Sequence, residues 1–511
     1  MKQKLNKLKR KSVRIWRENR FLIKPFLIIL FIYLLGCSAL LLAGVHYADD
    51  VARTTYGYAE WAGFSRYINT VASHGLHGDW YLTNIAPWPQ LLAIVILAFA
   101  SVIFVCIVSG REVFRKKWTK WIWGIVAVIS VGLNPYMLEC LSYQYDAIYM
   151  AISVLFAILP LLFWKNRKQW TYGFAIMIGV LVVCMTYQAS IGIFPMMVIF
   201  VAAREWSKKE MKNKEIWKFV LVSAVMFLLT VVVFQKFLMR PRDAYASNSL
   251  PEIGNFFPLL FEHLRQYFEL IFGDFRILWK ILIGITSVIF VGFFVARSNR
   301  DRVVTFLVAC AALILMVIST LAMYAALEKP LYAPRAMYAV GSFIALICVY
   351  VVNGKYSGWV VKVPVFILAY CFVMFALTYG NALREQNEFR NSRVEMVLSD
   401  LNKLPMVMSG GEKIVQVDGE IGLSPVIRNM PIGDYQMLYR LLMPSFSKNI
   451  PWMAYRITEQ RWFDNIHCVP GLDLNEKKLP LVEETMLYDI YGDEKNILIK
   501  FKNEVKYDLL F

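Results

Sequence analysis

Long apolar runs recur along this chain, broken by short polar and basic turns, and most are too evenly apolar to show a single helical or strand face. Runs of about 20 residues are what an α-helix needs to cross roughly 30 Å of hydrocarbon. The pattern predicts helical spans at 21–45, 88–109, 121–136, 147–164, 171–187, 190–203, 217–238, 278–296, 303–324, 337–353 and 361–380. The rhythm changes twice. Residues 46–87 are polar and aromatic over a length no simple connector needs, and from residue 381 the chain turns amphipathic. In that tail Leu383, Phe389, Val394, Val397, Leu398 and Leu401 share one helical face. KIVQVDG then reads as a strand, and MLYDIYGDEKNILIKF as two strands around a Gly492–Asp493 turn.

The expected fold class is therefore a polytopic α-helical membrane protein of about eleven spans. A basic segment over 1–20 precedes a transmembrane domain over 21–380, and a small α/β domain occupies 381–511. Composition agrees: a 511-residue chain that is 58% hydrophobic and 15% aromatic has too little charge to cover a soluble surface. The net charge of +18 suggests nucleic acid only until its placement is traced. Alternate inter-span segments, starting with 1–20, hold 28 Lys and Arg, and the four loops opposite hold 8. That bias is the positive-inside pattern. It puts the N-terminus in the cytoplasm and the C-terminal domain outside, and it accounts for the charge without a nucleic-acid partner.

Candidate chemistry gathers in the outer loops. Asp49 and Asp50 stand just past the first span, and Arg53 comes one helical turn on, within reach of either. Carboxylates beside hydrocarbon are costly unless they have a task. An interfacial salt bridge is the plain alternative. Hydrolysis of a glycoside needs two acids because a sugar alkoxide leaves poorly. A sugar leaving from a lipid phosphate needs one base and cations at the phosphate. Arg53, Arg240, Arg242 and Arg335 are the candidates for that phosphate, and each could instead anchor at a headgroup. Asp79 in HGLHGDW, Tyr143 and Asp146 in NPYMLECLSYQYD, Gln188 in TYQAS and Tyr332 in YAPR are candidate sugar or acceptor contacts. For the Tyr-rich patch, an aromatic belt at the membrane edge is equally good. His74 and His77 lack a third firm ligand, so no metal site is assigned and a divalent cation is left open.

HYADDVAR, the aromatic loop ending IAPWPQLL, NPYMLECLSYQYD, TYQAS, YAPR and ALTYGNALREQNEF occur in an order that resembles the membrane glucosyltransferases of phage-type O-antigen modification, the glucosyltransferase type II family. The likeness covers most of 30–400 and weakens across the tail. It implies a GT-C-like fold, a polyprenyl-phosphate-linked glucose donor and a growing surface polysaccharide such as O-antigen as acceptor. It also implies a small flippase and a lipid-sugar synthase as partners, and places catalysis on Asp49 and Asp50. The expected location is the bacterial cytoplasmic (inner) membrane. Two rivals remain. One is the same chemistry on teichoic acid or another surface glycan, and the other is a transporter or flippase of lipid-linked sugars. The gathering of polar residues in one external layer favours an enzyme over the transporter.

Overall fold

The computed structural model describes residues 18–165, 169–240, 250–252, 254–442, 445–446, 456–458, 465–469 and 472–502. The basic segment 1–20 lies outside them apart from its last three residues. The first membrane helix, α1 (Ile23–Ala43), ends at Gly44, whose left-handed φ of 59° turns the chain away from the helix axis. Two short helices occupy the 46–87 region, α2 (Asp50–Tyr56) and α3 (Tyr67–His77), before α4 (Trp88–Ser109) re-enters the bundle. Then come α5 (Trp118–Val128), α6 (Ser130–Leu133), α7 (Pro135–Ser142), α8 (Ala147–Ile158), α9 (Gln169–Thr186), α10 (Ile193–Lys208) and α11 (Asn213–Val233). The bundle closes with α12 (Phe256–Asp274), α13 (Ile277–Ala296), α14 (Arg302–Ala325), α15 (Ala339–Val352) and the long α16 (Trp359–Leu401).

The protein is a multi-pass membrane protein. Among the described residues eight helices are long and apolar enough to cross a bilayer, or nine if the pair Trp118–Leu133 and Pro135–Ser142, bent by 54°, counts as one span. The expected eleven counts two further helices. The other two expected spans are the shorter apolar helices Ala147–Leu162 and Ala339–Val352. All 14 residues of α15 are buried. At about 1.5 Å per residue such a helix covers roughly 21 Å, and its burial places it inside the bundle. Lipid-facing helices behave oppositely. Along α16, Trp359, Val363, Phe366, Tyr370 and Met374 form an exposed apolar stripe at helical spacing.

The bend at α6–α7 is written in the sequence. Asn134 caps α7 by accepting from the Met137 N–H (3.1 Å) and donating through Nδ2 to the Ser130 carbonyl (2.9 Å), and Pro135 occupies the first helical position. A Cβ on Gly341 would stand 2.1 Å from Asn134 Nδ2, so only glycine lets α15 approach this break. Residues 135–142, expected as an outer loop, are instead a helix buried along its whole length. α12 also lies in a stretch expected as loop. It buries His263, Leu264 and Tyr267 while presenting Phe257, Phe261, Phe268 and Phe272 outward, the pattern of a helix lying at a membrane interface.

α16 runs through residue 381 without interruption and carries the C-terminal domain. That domain holds α17 (Ile432–Leu442) and a six-stranded sheet of β1 (Lys413–Glu420), β2 (Ser445–Phe446), β3 (Ile466–Cys468), β4 (Leu481–Glu484), β5 (Tyr488–Gly492) and β6 (Asn496–Phe501). β6 pairs in parallel with β1 and antiparallel with β5, and β4 pairs antiparallel with β5. The β5–β6 hairpin is the one read from sequence, with Asp493 Oδ1 accepting from the Lys495 and Asn496 N–H groups, both at 2.8 Å.

Candidate active site

The site lies at the end of the bundle where α1 finishes and α4 begins. Ala48 adopts a left-handed φ of 45°, a conformation costing a residue with a β-carbon about 1–3 kcal/mol. Hydrogen bonds to Asp50 hold this turn in place. The Asp50 carboxylate is fully buried, and it accepts from three backbone N–H groups: Gln144 at 2.7 Å, Tyr47 at 3.2 Å and Tyr145 at 3.4 Å. Asp50 thereby ties the start of the first loop to the segment after α7. Burial pushes its carboxyl well above the usual carboxylate range, the Gln144 N–H opposes this, and nearby Asp146 adds to the rise. Asp49, one residue earlier, is half-buried, and no hydrogen bond reaches its carboxylate from the described residues. The adjacent pair therefore divides into a saturated member and an open one.

Beside Asp50, the Arg53 guanidinium lies 3.9 Å over the Trp61 ring and its Nε stands 3.5 Å from Asp146 Oδ2. Trp61 Nε1 donates to the other Asp146 oxygen. Neither Arg53 Nε nor Asp146 Oδ2 completes a hydrogen bond within the described residues, although both are buried. Buried polar atoms usually complete a hydrogen bond, and these two face each other only as a long ion pair. Burial raises the Asp146 carboxyl and Arg53 draws it back. The third side is aromatic: Arg66 lies 4.6 Å over the Tyr187 ring, and α3 is pinned to the bundle by Asn69 donating to the Thr186 carbonyl at 3.2 Å. Gln188 sits half-buried in the same turn.

Arg335 belongs to a neighbouring cluster. Its Nη1 meets Glu139 Oε1 at 2.8 Å and its backbone N–H donates to Glu139 Oε2, while its guanidinium sits 5.9 Å from the Tyr143 ring centre. Tyr143 meets Tyr47 edge-on at 5.1 Å. Tyr332 donates to Gln266 and packs on Tyr267. Asp50, Arg53, Tyr143, Asp146 and Arg335 thus converge from distant segments, with Asp49 near enough to Tyr143 and Asp146 for their charges to interact. Two candidates stay apart. Asp79 is exposed, its Oδ1 closing a turn on the Trp80 N–H at 2.6 Å, and Arg240 is an exposed residue whose N–H donates to Ser65 Oγ at 2.9 Å. Arg242 lies outside the described residues. Among those described, no group of three or more His, Cys, Asp or Glu is placed to hold a metal ion.

The C-terminal domain covers the same face. Tyr47 donates to the Leu441 carbonyl at 2.8 Å, and Arg456 donates to the His46 carbonyl and, at 3.2 Å, to Asn387 Oδ1. Arg440 reaches from α17 to buried Asp274 and, at 2.6 Å, to the Tyr332 carbonyl. Glu139, Asp274, Arg440 and Trp61 are not singled out by sequence. Glu139 does carry a signal, a lone acid inside the apolar stretch MLECL.

A membrane bundle with buried acids, arginines and aromatic rings gathered at one end defines the class: a polytopic protein with a polar site at the bundle's edge. The family model described as Glucosyl transferase GtrII matches residues 38–346, and the chain belongs to that family of glycosyltransferases. The matched segment contains both acid–arginine clusters and stops before the C-terminal domain. The chain is also 29% identical over 113 residues to a Salmonella phage P22 protein described as "Uncharacterized 55.3 kDa protein in gtrB 5'region". That match spans 22% of this chain and 22% of the relative's own length. No solved structure matches the chain significantly.

Proposed function

We propose that the protein transfers one hexose, glucose in keeping with its family, from a polyprenyl phosphate to a surface polysaccharide such as O-antigen. The reaction takes place on the outer face of the bacterial cytoplasmic membrane, in a GT-C-like fold whose C-terminal domain is extracytoplasmic. A small flippase and a lipid-sugar synthase deliver the donor. Asp49 is the general base. It takes the proton of an acceptor hydroxyl as that oxygen bonds to the anomeric carbon, and the carbon–oxygen bond to the phosphate breaks to release polyprenyl phosphate. Single displacement of this kind inverts the anomeric centre. The observation that carries the assignment is the contrast within the acidic pair. A base must be open to its substrate, and Asp50 is spent on three N–H groups while Asp49 is not.

Arg335 and Arg53 are the cations for the departing phosphate, Arg335 aligned by Glu139 and Arg53 held over Trp61 beside Asp146. Arg240 and Arg242, which follow α11 in the chain, are further candidates for the donor phosphate. Tyr143, Asp146, Gln188 and Tyr332 line the sugar's surroundings, with Asp79 at the rim for the acceptor. Mass spectrometry of surface glycan from cells with and without the gene tests the reading. One added hexose per repeat is expected only when the gene is present, and identical glycans would refute it.

A further inference from the structure

At the opposite end of the bundle from the acidic pair, a cavity of about 840 Å³ opens between the end of α4, the turn after α8 and the end of α10. Its lining includes Arg111, Lys116, Lys165, Arg204, Lys208 and Arg297, and a single carboxylate, Glu205. Six cations around one acid repel one another unless an anion joins them.

Two of the six have structural work. Arg204 donates to the Ile107 and Val108 carbonyls at 2.6 and 2.7 Å and pairs with Glu205 at 2.8 Å. Arg297 donates to the Tyr350 and Lys355 carbonyls, each at 2.7 Å. These contacts cap the ends of neighbouring helices and build the wall. Lys165 and Lys208 stand further off, 3.7 and 3.8 Å from Glu205, whose charge Arg204 already balances. Arg111, whose Nε lies 3.4 Å from Glu112 Oε1 in an exposed pair, and Lys116 complete the mouth.

The other lining is apolar, including Ile107, Val113, Leu161, Leu162 and Trp164. The turn Leu159–Leu162 also borders a second, apolar slot of about 320 Å³, to which it gives Leu159 and Pro160 and α9 gives Trp170, Phe174 and Ile178. Those three α9 residues are exposed at four-residue spacing, which makes them a stripe open to lipid. A charged chamber that shares a wall with a lipid-side slot matches an ion carrying hydrocarbon better than a free ion.

We propose that this cavity binds an anionic phospholipid, with the phosphate among Arg111, Lys116, Lys165 and Lys208 and an acyl chain along the slot between α8 and α9. Occupancy would relieve the crowding of positive charge and brace the ends of α4, α8 and α10. The site is separate from the transfer chemistry and stands without it.

The test is native mass spectrometry of the full-length protein released from nanodiscs of phosphatidylglycerol or phosphatidylcholine. One phosphatidylglycerol retained per chain, with phosphatidylcholine lost, is the expected result. Arg111→Ala with Lys116→Ala, and separately Lys165→Ala with Lys208→Ala, should each cut retention by about tenfold. The first pair leaves the Glu205 contacts in place and gives up only the exposed Arg111–Glu112 pair, so its melting temperature should match the parent's. Lys214→Ala with Lys218→Ala, exposed on α11 outside the cavity, should retain lipid as the parent does. Equal loss in that control, or equal retention of phosphatidylcholine, would overturn the site. Displacement of the lipid by excess inorganic phosphate would make the ligand a free anion and overturn the lipid assignment.

Discussion

Arg440, on the only long helix described in the C-terminal domain, donates to the carboxylate of Asp274, a fully buried side chain at the end of α12 in the membrane bundle. Tyr136 Oη donates to the same carboxylate oxygen at 2.9 Å, and Arg440 Nη2 reaches the Tyr332 carbonyl. One guanidinium therefore joins the tail to α12, to α7 and to the segment leading into Arg335.

Arg440→Met should leave Asp274 buried without its cation, a loss of about 3–5 kcal/mol when a buried pair is broken from one side. The expected result is a lower melting temperature and faster proteolysis of the C-terminal domain. Arg440→Met combined with Asp274→Leu should recover much of the loss, because the stranded charge is gone. Thermal unfolding of the three proteins in detergent checks this.

The acidic pair predicts two different phenotypes. Asp50→Asn replaces an acceptor of three N–H groups by an amide whose own N–H₂ faces some of them, and each buried group left unpaired costs about 1–3 kcal/mol. That variant should melt lower and expose 45–50 to hydrogen exchange. Asp49→Asn should keep the parent's melting temperature and lose surface glycan modification by about 100-fold or more, the scale of a missing general base. Full modification by Asp49→Asn would remove it from the chemistry.

How much of the molecule is legible in its sequence depends on how far apart the participants lie in the chain. Membrane-length apolar runs declare themselves, so helices appear where spans are expected. α12 does not, because after FFPLLF its apolar positions recur at helical spacing among Glu262, Arg265 and Glu269 and never make a run of membrane length. Asp49 and Asp50 can be seen as a pair but not told apart. The division is set by the left-handed turn at Ala48 and by N–H groups of Gln144 and Tyr145, some 95 residues away. The Asp274–Arg440 contact closes over 166 residues, and no local pattern announces it.

Arg335 and Lys329 share a loop and a charge, which makes them a matched pair. Arg335 is aligned by Glu139 from both its side chain and its N–H, whereas Lys329 is exposed. Arg335→Ala should reduce modification far more than Lys329→Ala, and Arg335→Lys should restore little, since an ammonium cannot bond a phosphate through a fork. Glu139→Gln should weaken activity as well by loosening that alignment. Quantifying modified repeats in the four strains decides it, and equal losses for Arg335→Ala and Lys329→Ala would mean a general effect of charge.

His46 offers a titration at the seam between bundle and C-terminal domain. Its Nδ1 lies 3.2 Å from Thr54 Oγ1, and its carbonyl accepts from Arg456. Burial lowers its pKa below the ordinary 6.5, the positive charge of Arg456 lowers it further, and a side-chain contact with Gln144 partly opposes both. The unfolded chain therefore takes up this proton at higher pH than the folded one. The resulting stability is fully present above about pH 6.5 and drains away as pH falls from there through the lower folded value. Acidification across that window should lower the protection of amides in 45–50 relative to their intrinsic exchange rates and loosen the C-terminal domain at the Arg456 contact. His46→Gln, which cannot titrate, should show protection there that no longer varies with pH in the same range. An unchanged slope in the variant would assign the dependence to another group, with the buried carboxyls Asp50, Asp146 and Asp274 excluded by sign, because their raised values make stability fall as pH rises.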